Sequence, residues 1–540
     1  MRLLPALTLT LTLAAAAAAG DARQLGRVDF PTSGGPEARE HFLRGVLYLH
    51  SFEYRDARDA FRAAQQAEPG FAMAWWGEAM TYNHPIWLEE SYDEARAALE
   101  RLGPTPEARA AKAPTEREKD YLGTVEVLFG DGDKRRRDDA YAEALRRLAE
   151  KYPDDLEAKS FHALAILGTC HDGRDAAAYM RAAAVVEEVF DANPEHPGAA
   201  HYLIHSYDDP VHAPLGLRPA RVYARIAPDA EHALHMPSHI FLALGMWEET
   251  VASNVDSWTA GERRVEREDL PPDRRGYHAL SWLHYAYLQQ GRFREARELL
   301  GVIRADAEKT GTVRARVHHA MMRGAYLVET EQWDAAPAGP DLTGLDVGAA
   351  AVDLFATGLA AIKTGKLDGA RAALADLDAR IAEIHAEDAQ GEACHTTVTA
   401  GYTRTAGVRA GPAEATALEL EGLIRLAEGR QDEALELLAR AAEAESALSF
   451  GFGPPFPVKP SSELYGEVLL TLGRAADAGE QFERALARAP RRARSVLGLL
   501  RAARLAGDDE VAAKSAQELA EIWARADADV RRRNEAPAAP

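Results

Sequence analysis

The chain has 540 residues, 47% of them apolar, which is too long for one compact core and calls for several modules or an extended superhelix. Its 63 Lys and Arg against 85 Asp and Glu give a formal charge of -22, opposite in sign to what neutralising nucleic-acid phosphates or anionic lipid requires. With only Cys170 and Cys394 there is no disulfide framework, so burial has to supply the stability.

The chain opens with Met1 and Arg2, then an uncharged Leu- and Ala-rich run from Leu3 to Ala19 before Gly20 and Asp21. This is the anatomy of an export signal, expected over residues 1–20 and followed by no Cys that could carry a lipid. No later stretch is apolar for long enough to span a bilayer. The mature protein is therefore expected in the periplasm or outside the cell, without a membrane span.

Internal repetition starts soon after. Gly45, Ala57 and Pro69 lie at intervals of twelve, and Gly466, Ala478 and Pro490 repeat the spacing, with Tyr48, Phe61 and Ala64 matched by Leu469, Phe482 and Ala485. The Gly-to-Ala interval recurs at Gly324/Ala336, Gly358/Ala370 and Gly422/Ala434. Small residues in paired helices let two backbones approach, large ones a turn away fill the space between hairpins, and Pro ends the second helix. These residues resemble the tetratricopeptide repeat (TPR), over about residues 37 to 524. The resemblance implies an all-α fold, a TPR-like α-α superhelix built as a solenoid of helix hairpins.

Three blocks are expected: N-terminal helices over 37–135, a central block over 136–334 and a C-terminal block over 346–524, with a disordered tail over 525–540. Gly- and Pro-dense stretches at 103–114, 335–345, 403–412 and 451–460 read as irregular loops. Trp75 is expected to be the large packing residue of a second repeat, with Ala79 and Tyr82 following it. The alternative is an aromatic binding wall of Trp75, Trp76, Asn83, His84 and Trp87. Cys170, His171 and Asp172 sit between Gly168 and Gly173, which suggests a turn whose side chains point apart.

The chemical anomaly is a histidine-rich segment: His196, His201, His205, His212, His232, His235 and His239 fall within 44 residues. His201 and His205 are each followed 34 residues later by another, His235 and His239, and 34 is the repeat length itself. Residues one repeat apart stand side by side on a superhelix, so both pairs are expected to face one concave groove. At about 100° per residue His201, His205 and Asp208 share one helix face, as do His232, His235 and His239. Pro237 breaks the second set and places a helix start there. Between Tyr207 and Ala220, Pro210, Pro214 and Pro219 suggest a long loop carrying His212. His278 and His318 open two later helices and extend the groove wall, whereas His284 and His319 carry less weight.

Imidazole with carboxylate is a donor set for one transition metal ion, Zn, Cu or Fe, held by His201, His205, Asp208, His235 and His239. Asp209 is placed as a partner orienting an imidazole, and His212, His232 and His278 as further ligand-binding groups. No HExxH motif is present, so a zinc-protease site is not indicated. Two other readings stay open: buried rivets that satisfy loop carbonyls, and a metal-free pocket for an anionic or peptide ligand. The stretches HPGAAHYLIHSYDDPVHAPLG and HALHMPSHIFLALGMW resemble a histidine-rich subgroup of bacterial exported TPR proteins, a resemblance that assigns no catalytic role to any residue. Two functions follow. One is a binding scaffold presenting a histidine-lined groove to a protein, peptide or small ligand. The other is a metal-binding protein or metal-dependent enzyme.

Overall fold

The computed structural model describes residues 24–389 and 406–535, and in them the chain is a TPR-like superhelix of antiparallel helix hairpins. The proposed signal segment lies outside the described residues, as does Cys394. The only strand pairing among the described residues joins Asn83–His84 to Glu89–Glu90. No described helix is long and apolar enough to cross a membrane.

Glycines set the hairpin spacing by admitting an aromatic ring. Gly45 on the Pro36–His50 helix and Gly77 on the Ala72–Met80 helix flank Phe61 of the Tyr54–Ala67 helix. A Cβ at Gly77 would sit 2.3 Å from the Phe61 ring and one at Gly45 2.7 Å from it, so neither position has room for a side chain. The same wedge recurs 421 residues later, where Phe482 lies between Gly466 and Gly498. Helix starts carry side-chain caps at Asp155, Asp175, Thr312 and Asp346, which satisfy amides the helix itself cannot.

One apolar cluster runs from Leu25 to Ala243, continuous across the expected 135/136 boundary. A second combines residues 247–286 with residues 493–530, so the C-terminal helices fold back onto the central ones. Polar contacts reinforce that return: Trp247 Nε1 donates to the Arg491 carbonyl (3.0 Å), and the Ala493 amide donates to Gln289 Oε1 (2.9 Å).

Several local expectations need correction. Trp76, not Trp75, is the buried packing residue, set among Phe30, Tyr121 and Phe161, while Trp75 lies nearer the surface and donates to the Pro69 carbonyl. The stretch 103–114 contains a capped helix, Pro106–Ala110. Within 403–412, residues from Ala406 on are helical and Pro412 sits inside the Ala406–Ala427 helix. Ala336 lies in a loop, and Gly324 packs instead against Val352 of the following helix. The tail is not irregular throughout: Ala528–Glu535 is helical, anchored by buried Val530 and by the Asp527 amide on the Gly291 carbonyl (3.0 Å).

Candidate functional site: a buried imidazole cluster

Three stretches of helix bring the histidines together. His196 caps the Pro197–Ser206 helix, its Nδ1 accepting from the Ala199 amide (3.1 Å), and Pro197 takes the first position, where no amide is needed. One turn apart on that helix, His201 and His205 have ring centroids 4.9 Å from each other. The second stretch is Glu231–His235 followed by Pro237–Ala243. Met236 between them keeps helical dihedrals, so the chain continues in nearly the same direction while Pro237 starts a new first turn. His232, His235 and His239 therefore still converge, at 5.9 Å and 5.0 Å along the sequence. His278, second residue of the Tyr277–Gln289 helix, stands 4.5 Å from His235.

The 34-residue equivalence survives at one pair, since His205 and His239 are 5.4 Å apart. His201 has His232, not His235, for a neighbour, at 5.1 Å. Two triads result: ligand nitrogens of His201, His205 and His232 lie within 4.8 Å of one another, and so do those of His235, His239 and His278.

Hydrogen-bond partners fix the ring protons. His201 Nδ1 faces the His50 carbonyl (2.7 Å), which can only accept, so Nδ1 carries the hydrogen and Nε2 a lone pair. His239 Nδ1 donates to the Asp208 carboxylate (2.5 Å). For His235 the partner is Asn254 Oδ1 (2.7 Å), an oxygen because Asn254 Nδ2 donates to the Thr250 carbonyl (2.8 Å). His235 Nε2 thus presents a lone pair to His239 Nε2 across 3.2 Å.

His201 Nε2, His232 Nε2 and both nitrogens of His205 are buried with no hydrogen-bond partner among the described residues. Each such group costs about 1–3 kcal/mol in an apolar interior. Burial, with repulsion between neighbours, holds His201, His205, His232, His235 and His278 well below the ordinary imidazole pKa. They are neutral at pH 7, the form that binds metal.

A second histidine group behaves differently. His50 Nε2 (2.7 Å) and His196 Nε2 (3.2 Å) both meet the buried Glu157 carboxylate, while His50 Nδ1 takes the Tyr202 hydroxyl (2.8 Å). The two imidazoles hold the Glu157 carboxyl at about 2. Every nitrogen there has a partner, so this triad is a rivet of the kind buried polar groups form.

Aromatic rings enclose the six-imidazole cluster. Phe52 lies 4.2 Å from His201 and Trp282 4.4 Å from His239, while Phe452 covers both His205 (5.7 Å) and His239 (6.1 Å). Beside it opens a cavity of about 770 Å³ whose wall includes Asp208, His278, Trp282 and Phe452. Sequence spacing could not reveal Asn254, Trp282 or Phe452. Trp87, singled out in the sequence, reaches His232 at 6.3 Å.

Other expected residues fall elsewhere. Asp208 orients His239, and Asp209 orients no cluster imidazole: it pairs with Arg174 (2.9 Å) and with His212 Nδ1 (2.8 Å). Asp209 Oδ1 also accepts from the Val211 and His212 amides, which folds the chain into the Ala213–Ile226 helix. The long loop is therefore short, with Pro214 in the first turn and Pro219 inside the helix, and His212 is tied down outside the cluster. His318 lines the cavity with Nδ1 on the Arg314 carbonyl (2.9 Å). His171 and Asp172 face Asp138 and Arg135, and burial raises the Cys170 thiol, so the three do not form a site.

Neither a family pattern nor any curated protein matches the sequence. Among solved structures, the human IFIT1 dimer with m7Gppp-AAAA is 14% identical, covering 92% of this chain and 90% of its own at a TM-score of 0.33. A monomeric IFIT1 mutant with Gppp-AAAA is 11% identical, with 88% and 95% covered and a TM-score of 0.36. The Cut9–Hcn1 hetero-tetramer of APC/C is 10% identical, with 94% and 78% covered and a TM-score of 0.30. The likeness is one of helical-repeat architecture and extends no further.

Proposed function

We propose that this scaffold holds a transition metal ion on His235, His239 and His278, at the wall of a cavity that receives a small ligand or the end of a peptide. The observation carrying this reading is the 3.2 Å separation of the His235 and His239 Nε2 atoms, with both Nδ1 atoms committed to oxygen acceptors. Two nitrogens bound to one ion at about 2.0–2.1 Å in tetrahedral geometry stand about 3.3 Å apart. Donation of Nδ1–H to a carboxylate and to an amide oxygen is also how proteins orient metal-binding imidazoles. The cavity lies within the range of small-molecule sites, about 300–1,000 Å³, and His278 places the ion within reach of its contents.

Elemental analysis of the full chain after metal loading and desalting tests this. The unmodified protein should retain ion, and a His235→Gln/His239→Gln variant should lose that bound at this triad. Asp208→Asn should bind about 10–100-fold more weakly, because the amide holds the His239 ring less firmly. If the folded, unmodified protein retains nothing, the pair is instead an imidazolium at His239 held by Asp208 and donating to His235, and the proposal fails.

A further inference from the structure

The six imidazoles do not group around one point: they divide without remainder into two triads. We infer that the cluster is a two-ion centre: a second ion sits on His201, His205 and His232, beside the one on His235, His239 and His278, and copper is the ion it selects. The inference rests on the reading of the cluster as a metal centre and adds the number and kind of ions.

The second triad has its own signs of a ligand set. The His50 carbonyl fixes the His201 tautomer so that Nε2 is bare, and that nitrogen finds no partner. Neither nitrogen of His205 has one, nor does His232 Nε2, although all these atoms are buried. A rivet would satisfy them, as the neighbouring His50–Glu157–His196 group does for its own rings. The two triads abut, because ligand atoms of His205 and His239 lie within 4.8 Å of each other, with Asp208 in the same group. Ions on the two triads would stand a few ångströms apart, close to the regime of two-ion sites at about 3.5–4 Å.

Charge and donor type identify the ion. All six donors are imidazole nitrogens, and Asp208 is the one carboxylate grouped with them. Two divalent ions would place four positive charges against one negative one among the aromatic rings of Phe52, Trp282 and Phe452, which is costly to desolvate. Copper can enter as a monovalent ion, accepts three nitrogen ligands, and in its divalent form binds nitrogen donors more tightly than the other first-row ions. Zinc has no monovalent state to offer.

The test is copper stoichiometry in the full-length chain. Protein loaded anaerobically with Cu(I) and desalted should carry two copper ions per chain. His205→Leu and His201→Gln should each carry one, and so should His239→Gln. After loading with Cu(II), the integrated paramagnetic resonance signal of the unmodified protein should fall well below its copper content, because adjacent ions couple. His205→Leu should show one uncoupled ion at full intensity.

Metal-free His205→Leu should also melt no lower than the unmodified protein, since it removes a ring that makes no hydrogen bond. One copper per chain, unchanged in His205→Leu and His201→Gln, would overturn the second ion and leave the first standing. Retention of zinc in preference to copper from an equimolar mixture would overturn the ion assignment. Retention of no ion at all would remove both this inference and the proposed function.

Discussion

Burying several imidazoles in the neutral state makes stability depend on pH in a fixed direction. Five of the cluster histidines, His201, His205, His232, His235 and His278, are held well below their ordinary value, His318 at about 4 and His284 at about 3, in each case chiefly by burial. In the unfolded chain each titrates near 6.5, so below that pH the unfolded state takes up protons that the folded state refuses. Their stabilising contribution is complete above about pH 6.5 and is withdrawn as pH falls toward the folded values. For His318 alone the shift corresponds to about 3 kcal/mol. Carboxyls that burial pushes up act oppositely, with Glu231 at about 7 and Glu419 well above the carboxylate range, joined by Glu53, Glu262, Glu329, Asp353, Asp378 and Glu445, but the lowered imidazoles, which also include His50, His162 and His319, outnumber them. The melting temperature of the metal-free protein should fall steadily from pH 7 to pH 5. Copper-loaded protein should hold its value further down, because an ion on Nε2 excludes the proton. A flat profile between pH 7 and pH 5 would contradict the burial of neutral imidazoles.

Among the helices, close packing at glycine outweighs helix propensity. Replacing Gly by Ala inside a helix gains about 1 kcal/mol where the surroundings are open. At Gly498 the new Cβ would meet Phe482 at 2.2 Å, on a ring with no free side to move into, and overpacking of that kind costs about 1–3 kcal/mol. Gly498→Ala should therefore lower the urea midpoint, while Gly301→Ala, with nothing within 4 Å, should raise it. Equal shifts in the two would show that the Phe wedge does not set the hairpin spacing.

The same steric rule is what made the hairpins legible in the sequence: Gly45, Phe61 and Pro69 recur as Gly466, Phe482 and Pro490 because a ring has to pass between backbones. The one-turn spacing of His201/His205 and of His235/His239 was legible for an equally local reason. Spacing could not show that Pro219 and Pro412 would sit inside helices, nor that Trp76 rather than Trp75 would turn inward, since tertiary packing decides both. It also could not show that Asp208 would turn to a histidine 31 residues on while Asp209 turned to Arg174. Asn254, which fixes the His235 proton, and Phe452, which covers the cluster, carry no local pattern at all.

Whole-molecule closure is what brings Phe452 to the cluster. A solenoid whose repeats touch only their neighbours loses structure piecemeal. Here Phe452 reaches His205 across nearly 250 residues of sequence, and Gly453 beside it packs so close to Trp282 that a Cβ would meet the ring at 2.4 Å. The return is locked by Arg492, fully buried, which binds Glu463 (2.7 Å), Glu329 (2.6 Å) and the Tyr285 hydroxyl (2.8 Å). Two of these partners, Tyr285 and Glu329, lie on central helices, Tyr277–Gln289 and Val313–Thr330, while Glu463 lies on the C-terminal Ser461–Thr471 helix. Arg492→Met would leave two buried carboxylates without their shared cation, and removing one member of a buried ion group costs about 3–5 kcal/mol. Arg491→Ala is the matched control, since its ion pairs with Glu518 and Glu521 are at the surface and worth little. Arg492→Met should melt lower, exchange its amides faster through residues 451–460, and release bound copper faster, because the lid over His205 and His239 depends on the lock. A variant that melts lower yet releases copper at the unmodified rate would separate closure of the superhelix from retention of the ion.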